Sequence, residues 1–180
     1  MQITVFDLET SSLKANFGVV LCGVVKPIGG EFRVFRLDNF TDKWSNDSPL
    51  VETLINELSS PLVLVAHNGV RFDRPFLNAR ATRWDIPPLT PRGRIIDPVV
   101  LARKHFAMSW NGLESLSVFL QTEHRKSPVD GELWLRAILD HDELALDEIV
   151  AHCINDVLVL EEVVTKLQPF IGKIQEWGSA

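Results

Sequence analysis

Residues 2 to 10 read Gln2-Ile3-Thr4-Val5-Phe6-Asp7-Leu8-Glu9-Thr10. Ile3 and Val5 alternate with Gln2 and Thr4 before Phe6, the period of a β-strand, which predicts a strand over residues 2–9 running into a polar end. Side chains two apart on a strand share a face, so Asp7 and Glu9 point together and Leu8 points away. The strand reads as buried, so the two carboxylates converge with little water between them, and like charges that close require a cation. The alternative is an exposed strand end carrying ordinary acids.

Working outward, Val19 to Val25 reads as a second strand, and Pro27-Ile28-Gly29-Gly30 supplies turn chemistry. Phe32, Val34, Phe35 and Leu37 then resume an extended pattern, so the first three strands read as an antiparallel meander. Pro49 to Leu58 has helical spacing of its leucines, and the short β-branched run Leu62 to Ala66 reads as a buried, central parallel strand. Phe72, Phe76 and Ala79 mark a helix whose Pro75 is tolerable only in the first turn, which sets Asp73 near its N-terminus. Residues 85–94 read as a loop, Ile95-Ile96 as a short strand, and Pro98 to Phe106 and Leu113 to Leu120 as helices. The polar segment 121–131, with Pro128 and Gly131, is the candidate mobile loop. Leu146, Val150, Cys153, Val157, Leu160, Val164 and Leu167 repeat at spacings of four and three, predicting one long helix that stops at Pro169. The expected class is α/β, a mixed sheet of an antiparallel meander plus parallel strands flanked by helices.

The chain has 180 residues, 46% of them hydrophobic, and a net charge of −6. At this length about 70% of the unfolded surface is buried on folding, so residues 1–180 read as a single domain whose core needs no metal or disulfide to hold it. Cys22 and Cys153 stand far apart among apolar residues, which argues against a disulfide framework or a structural zinc. No basic leader precedes an apolar run and no stretch approaches 18 apolar residues, so the expectation is no membrane association and a reducing, cytoplasmic setting. Residues 70–126 hold 10 Lys and Arg against 5 acids, whereas residues 127–180 hold 3 against 11. The basic section, with Arg125 and Lys126 in the polar loop, is the expected approach for a polyanion, although charge alone fits a solvated surface equally well.

Two further pieces carry chemistry. Asn68-Gly69-Val70-Arg71-Phe72-Asp73 follows the parallel strand, and open α/β sheets bind ligands at such strand ends. A first-turn aspartate complementing the helix dipole explains Asp73 as well. His152 and Asp156 lie four apart on one side of the last helix, beside its apolar stripe. A carboxylate there is costly unless paired or metal-bound, and no Lys or Arg occurs between Ala137 and Thr165 to pair with it locally.

FDLET, NGVRFD and HCINDV, in that order and at these separations, resemble the three motifs of the DEDD 3′-to-5′ exonuclease superfamily. The resemblance spans residues 2 to about 167 and is closest to stand-alone exonucleases related to the proofreading domain of family B DNA polymerases. It implies a ribonuclease H-like fold and hydrolysis of terminal phosphodiester bonds of single-stranded nucleic acid, DNA favoured over RNA, releasing nucleoside monophosphates. Asp7, Glu9, Asp73 and Asp156 would hold two divalent cations, Mg²⁺ or Mn²⁺. Thr10, through its backbone, and Leu13, Asn68 and Phe72 would contact the terminal nucleotide. Members of the superfamily place either a tyrosine four residues before the last aspartate or a histidine five before it. This chain has His152 at four, Ala151 at five and no tyrosine anywhere. With an ordinary pKa near 6.5, neutral imidazole is suited to serve as the base. The competing readings are a nucleic-acid-binding module without catalysis and a structure-specific endonuclease on the same fold.

Overall fold

The computed structural model describes residues 3–126, 128 and 130–171. Five strands, β1 (Ile3–Thr10), β2 (Val20–Pro27), β3 (Arg33–Arg36), β4 (Val63–Val65) and β5 (Arg94–Ile96), form one sheet in the order β3-β2-β1-β4-β5. β1, β2 and β3 pair antiparallel as the expected meander, and β4 and β5 add parallel to β1. The predicted strand at residues 62–66 is therefore an interior strand, but β1 holds the centre. Leu62, read as part of that buried run, is 54% exposed, because pairing begins only at Val63. Gln2, the start of the predicted first strand, lies outside the described residues.

Among the described residues six α-helices accompany the strands, α1 lying before β4 and α2 before β5: α1 (Ser48–Leu58), α2 (Asp73–Arg83), α3 (Pro98–His105), α4 (Leu113–Phe119), α5 (Glu132–Leu139) and α6 (Glu143–Leu167). α1 packs on the β2–β3 side of the sheet, where Leu54 and Leu8 fill the space a Cβ on Gly23 would need, the nearest methyl being 2.7 Å from that position. Only glycine lets the helix sit that close. α6 covers the opposite face, since Cys153 reaches Asp7 while the neighbouring Leu8 points to α1. With a helix on each side, Val20, Leu21, Cys22, Val24 and Val25 are all inaccessible to solvent. This is why β2 reads as a continuous apolar run with no alternation.

Every position of the predicted α6 stripe is buried. The helix starts at Asp142, whose side chain accepts the Leu144 and Ala145 amides, and it passes into a 3-10 turn containing Pro169. α5 was not expected. Leu133 and Ala137 are its buried positions, and the run is too short to stand out from the polar segment before it. No helix among the described residues is long and apolar enough to cross a membrane.

Candidate active site

The sheet's central strand delivers Asp7 and Glu9 to the face that α6 covers. Asp7 lies opposite Val24 and Glu9 opposite Cys22, and the register shifts between Glu9 and Thr10 as the strand leaves the sheet. The Cys153 thiol donates to the Asp7 carbonyl and to Asp7 Oδ2 at 3.5 Å each, fixing the middle of α6 on β1. That contact brings its neighbours His152 and Asp156 over the strand end. His152 Nε2 lies 3.6 Å from Asp156 Oδ2 and 3.8 Å from Glu9 Oε1. Glu9, His152 and Asp156 each present a ligand atom within 4.8 Å of the others.

Asp73 arrives from the other side of the sheet through a constrained turn. Asn68 has φ of 60°, and its amide donates to Asp97 Oδ1 at 3.0 Å, the same oxygen that accepts the Val99 amide at 3.0 Å to cap α3. A Cβ on Gly69 would fall 2.2 Å from that of Ala66, so only glycine permits the fold-back. The Arg74 amide then donates to the Gly69 carbonyl, and Asp73 becomes the first residue of α2, 2% exposed.

The four carboxyl groups are electrostatically one site. Burial and then the charge of Asp156 push Asp7 up to about 7. Burial, then Asp7 and Asp156, push Glu9 up to about 9. Burial and then Asp7 hold Asp73 well above the usual carboxylate range. Asp7 thus interacts with all three of the others, at the middle of the set. Burial and like charge thus make Asp7, Glu9 and Asp73 resist ionisation, a pattern that favours the binding of a cation.

One protein cation does enter. Lys126 donates to Asp156, and although burial opposes its charge, Asp156, Asp7 and Glu9 outweigh that and hold the ammonium above its ordinary range. The sequence offered Asp156 no local basic partner; the partner comes from thirty positions away. Of the two loop cations expected to face a polyanion, Lys126 turns toward the acids, and Arg125 is exposed with its Nη1 donating to the Ser117 carbonyl at 3.0 Å and to Thr122. The described part of the predicted mobile loop is pinned to α6. Glu162 accepts the Glu123 and His124 backbone amides and pairs with the His124 ring, and Asn155 Nδ2 donates to the Arg125 carbonyl at 2.8 Å. Residues 127 and 129 of that loop lie outside the described residues. Elsewhere in the basic section, Arg80 is buried in a pair with Asp47, so it is unavailable to a polyanion.

The donor set fits a hard divalent cation. It consists of carboxylate oxygens with one imidazole beside them. Among the described residues, Asp156 Oδ1 is buried with no hydrogen-bond partner. A buried carboxylate oxygen left without a donor is costly, and a bound cation satisfies it.

Two residues near the site escaped the sequence reading. Trp134 of α5 donates to Glu9 and stands edge-on to His152, ring centres 6.3 Å apart. Its signal was the spacing of Leu133, Trp134, Ala137 and Ile138. His67, two residues beyond β4, has a buried Nδ1 without a partner among the described residues and is pushed down to about 4 by burial and by Lys126. Burial also lowers His152, with Asp156 opposing, so its imidazole is neutral at pH 7. Of the residues expected at the substrate, Thr10 ends β1 and its hydroxyl donates to the Ser12 carbonyl at 2.9 Å. Leu13 is 78% exposed in the loop after it. Asn68 is exposed in the turn before α2, and Phe72, half-buried, precedes Asp73 with its ring 5.7 Å from Phe76.

The family model for the RNase H superfamily matches residues 4–168. The chain is 26% identical to the PolC-type DNA polymerase III of Ureaplasma parvum, in an alignment covering 97% of this chain and 13% of that protein. Its fold is similar to that of the family B DNA polymerase of the hyperthermophilic archaeon Pyrobaculum calidifontis, with a TM-score of 0.74 at 18% identity, covering 94% of this chain and 25% of that one. The chain therefore spans a small part of the length of either polymerase.

Proposed function

The chain belongs to the RNase H superfamily, and from that premise we propose that its described fold works as one divalent-metal-dependent 3′-to-5′ exonuclease unit. The substrate is the 3′ end of a single strand, DNA favoured over RNA, and the products are nucleoside monophosphates. The observation that carries the reading is the convergence of Asp7 and Glu9 from β1, Asp73 from α2 and Asp156 from α6 on one spot, with Asp156 Oδ1 buried and unpartnered among the described residues. A decayed binding module has no reason to keep four mutually repelling carboxylates buried together. The polymerase relatives support a nucleic-acid substrate.

Asp7, Glu9, Asp73 and Asp156 would hold two Mg²⁺ or Mn²⁺ ions. When bound, such a pair supplies Lewis acidity toward the scissile phosphate and the departing 3′-oxygen. The chain's own residues do the rest. His152, neutral at pH 7 and 3.8 Å from Glu9, accepts the proton of the attacking water at Nε2. Trp134 holds Glu9 and faces the imidazole edge-on, restricting both side chains. Lys126 places positive charge where negative charge builds on the phosphate. Leu13 and Phe72 offer apolar surface to the terminal base, while Asn68 and the Thr10 backbone offer hydrogen bonds to the terminal nucleotide.

A 5′-labelled single strand, with a free or a chemically blocked 3′ end, tests this in the presence of Mg²⁺. The free strand should shorten in single-nucleotide steps and the blocked strand should persist. Cutting of both strands would identify an endonuclease, and cutting of neither a binding module.

A further inference from the structure

Beyond the acid cluster, the β1–β2 loop carries an aromatic side chain that the chemistry above does not use. Phe17 is 82% exposed. It borders a cavity of about 370 Å³ lined also by Ser11, Lys43, Trp44, Ile138 and His141. Trp44 and His141 stack there, ring centres 5.2 Å apart and planes 11° from parallel. His141 holds that position with φ of 51°, a conformation that non-glycine residues seldom adopt. A strained backbone at an aromatic wall is a recurrent mark of a binding site.

Phe17 is exposed without being loose. The Phe17 and Gly18 amides donate to the Lys14 carbonyl at 3.0 and 2.9 Å, and the Ser11 amide donates to the Val19 carbonyl at 3.0 Å. The Val19 amide returns a bond to Ser11 Oγ at 3.0 Å. The Val20 amide donates to Asp47 Oδ2 at 2.9 Å, and Arg80 Nη1 donates to the Ala15 carbonyl at 3.1 Å. Asp47 and Arg80 are themselves a buried pair, Nη2 to Oδ1 2.7 Å. Asp47 lies three residues after Trp44, so one buried ion pair fixes both walls of the cavity: the loop bearing Phe17 and the segment bearing Trp44. A rigid loop that holds a phenyl ring in water is a preorganised stacking platform, because the ordering cost is met before any ligand arrives.

We propose that this cavity is a stacking subsite for a nucleobase of the single strand, one or two nucleotides upstream of the one being released; the proposal rests on the exonuclease reading above. Ser11 is two residues beyond Glu9, and two residues span at most about 7 Å, so the cavity opens beside the acids. Lys43 and Asp42 line it with opposite charges. That balance selects an uncharged aromatic face over a phosphate, and stacking on Phe17 is indifferent to base identity.

Single strands carrying an abasic unit at one position at a time, counted from the 3′ end, test the subsite by KM for mononucleotide release. In the wild type, loss of the base at the second or third position should raise KM roughly tenfold. Phe17→Ala should already show the raised KM on the intact strand and respond less than twofold to the abasic unit, and Phe17→Trp should restore the base dependence. The subsite is overturned if Phe17→Ala keeps the wild-type response, or if no upstream abasic unit matters to the wild type. A protein as the occupant would give that same insensitivity. Absence of mononucleotide release from the wild type on any strand would instead overturn the exonuclease reading, and the subsite with it.

Discussion

The Lys126 ammonium donates to the Asp156 carboxylate across thirty residues of sequence, placing a protein cation inside the cluster formed with Asp7 and Glu9. A divalent ion held by these acids would meet its charge. Removing it by Lys126→Met should raise the affinity for Mg²⁺ several-fold, since a like charge a few ångströms away is repulsive. The same variant in chelator should melt at a lower temperature, because Asp156 is then buried without a partner. Calorimetric Mg²⁺ titration and thermal melts check both. An unchanged Mg²⁺ midpoint would remove Lys126 from the electrostatics of the site.

Metal-free stability should fall as pH rises from about 6.5 to about 9. The sign follows from proton counts: Asp7 and Glu9 are pushed up to about 7 and about 9, so in this window the native state holds protons that the unfolded state has released. Stability contributed by these groups is present at low pH and lost as pH rises through their folded values. His67, pushed down to about 4, acts in the opposite sense, mainly between about pH 4 and its unfolded value near 6.5, so that its effect fades at the lower edge of this window. Saturating Mg²⁺ should flatten the slope, since binding releases the same protons. Melting temperatures at pH 6.5, 7.5 and 9, with and without Mg²⁺, check it; a slope of the opposite sign would contradict the buried-carboxylate description.

The meander, the alternating face of β1 and the stripe of α6 were legible in the sequence because each is a periodic pattern produced by burial on one side. Asp7 and Asp156 stood out for the same reason, each placed where a carboxylate is expensive, whereas Asp73, between Phe72 and Arg74, stood out only through the motif resemblance. α5 was not, because eight residues with two buried positions give little periodicity, and Trp134 was lost with it. The direction of Lys126 was not legible because sequence shows charge without direction. Only the anchoring of its loop by Glu162 and Asn155 turns it inward.

The buried pair of Asp47 and Arg80 predicts a large stability loss when one partner is removed. Arg80→Met leaves Asp47 inaccessible to solvent with only Trp84 Nε1 and the Val20 amide as donors. The expected cost is about 3 to 5 kcal/mol, read as a lower urea midpoint. A change below about 1 kcal/mol would show that the pair contributes little to the fold.

His152→Ala should lower kcat roughly 10² to 10⁴-fold with little change in KM, the usual contribution of a positioned base. Steady-state kinetics on a single-stranded oligonucleotide separate the two constants. Near-wild-type turnover would exclude the imidazole from proton transfer.

The central claim, that four converging carboxylates hold the metal for cleavage at a 3′ end, is tested most directly by a 3′-labelled single strand and the variant Asp7→Asn. The wild type should release labelled mononucleotide with Mg²⁺ and none with chelator. Asp7→Asn should release none under either condition, while melting at or above the wild-type temperature without metal, because one buried repulsive charge is gone. Mg²⁺-dependent release by folded Asp7→Asn at a rate near that of the wild type would contradict the account.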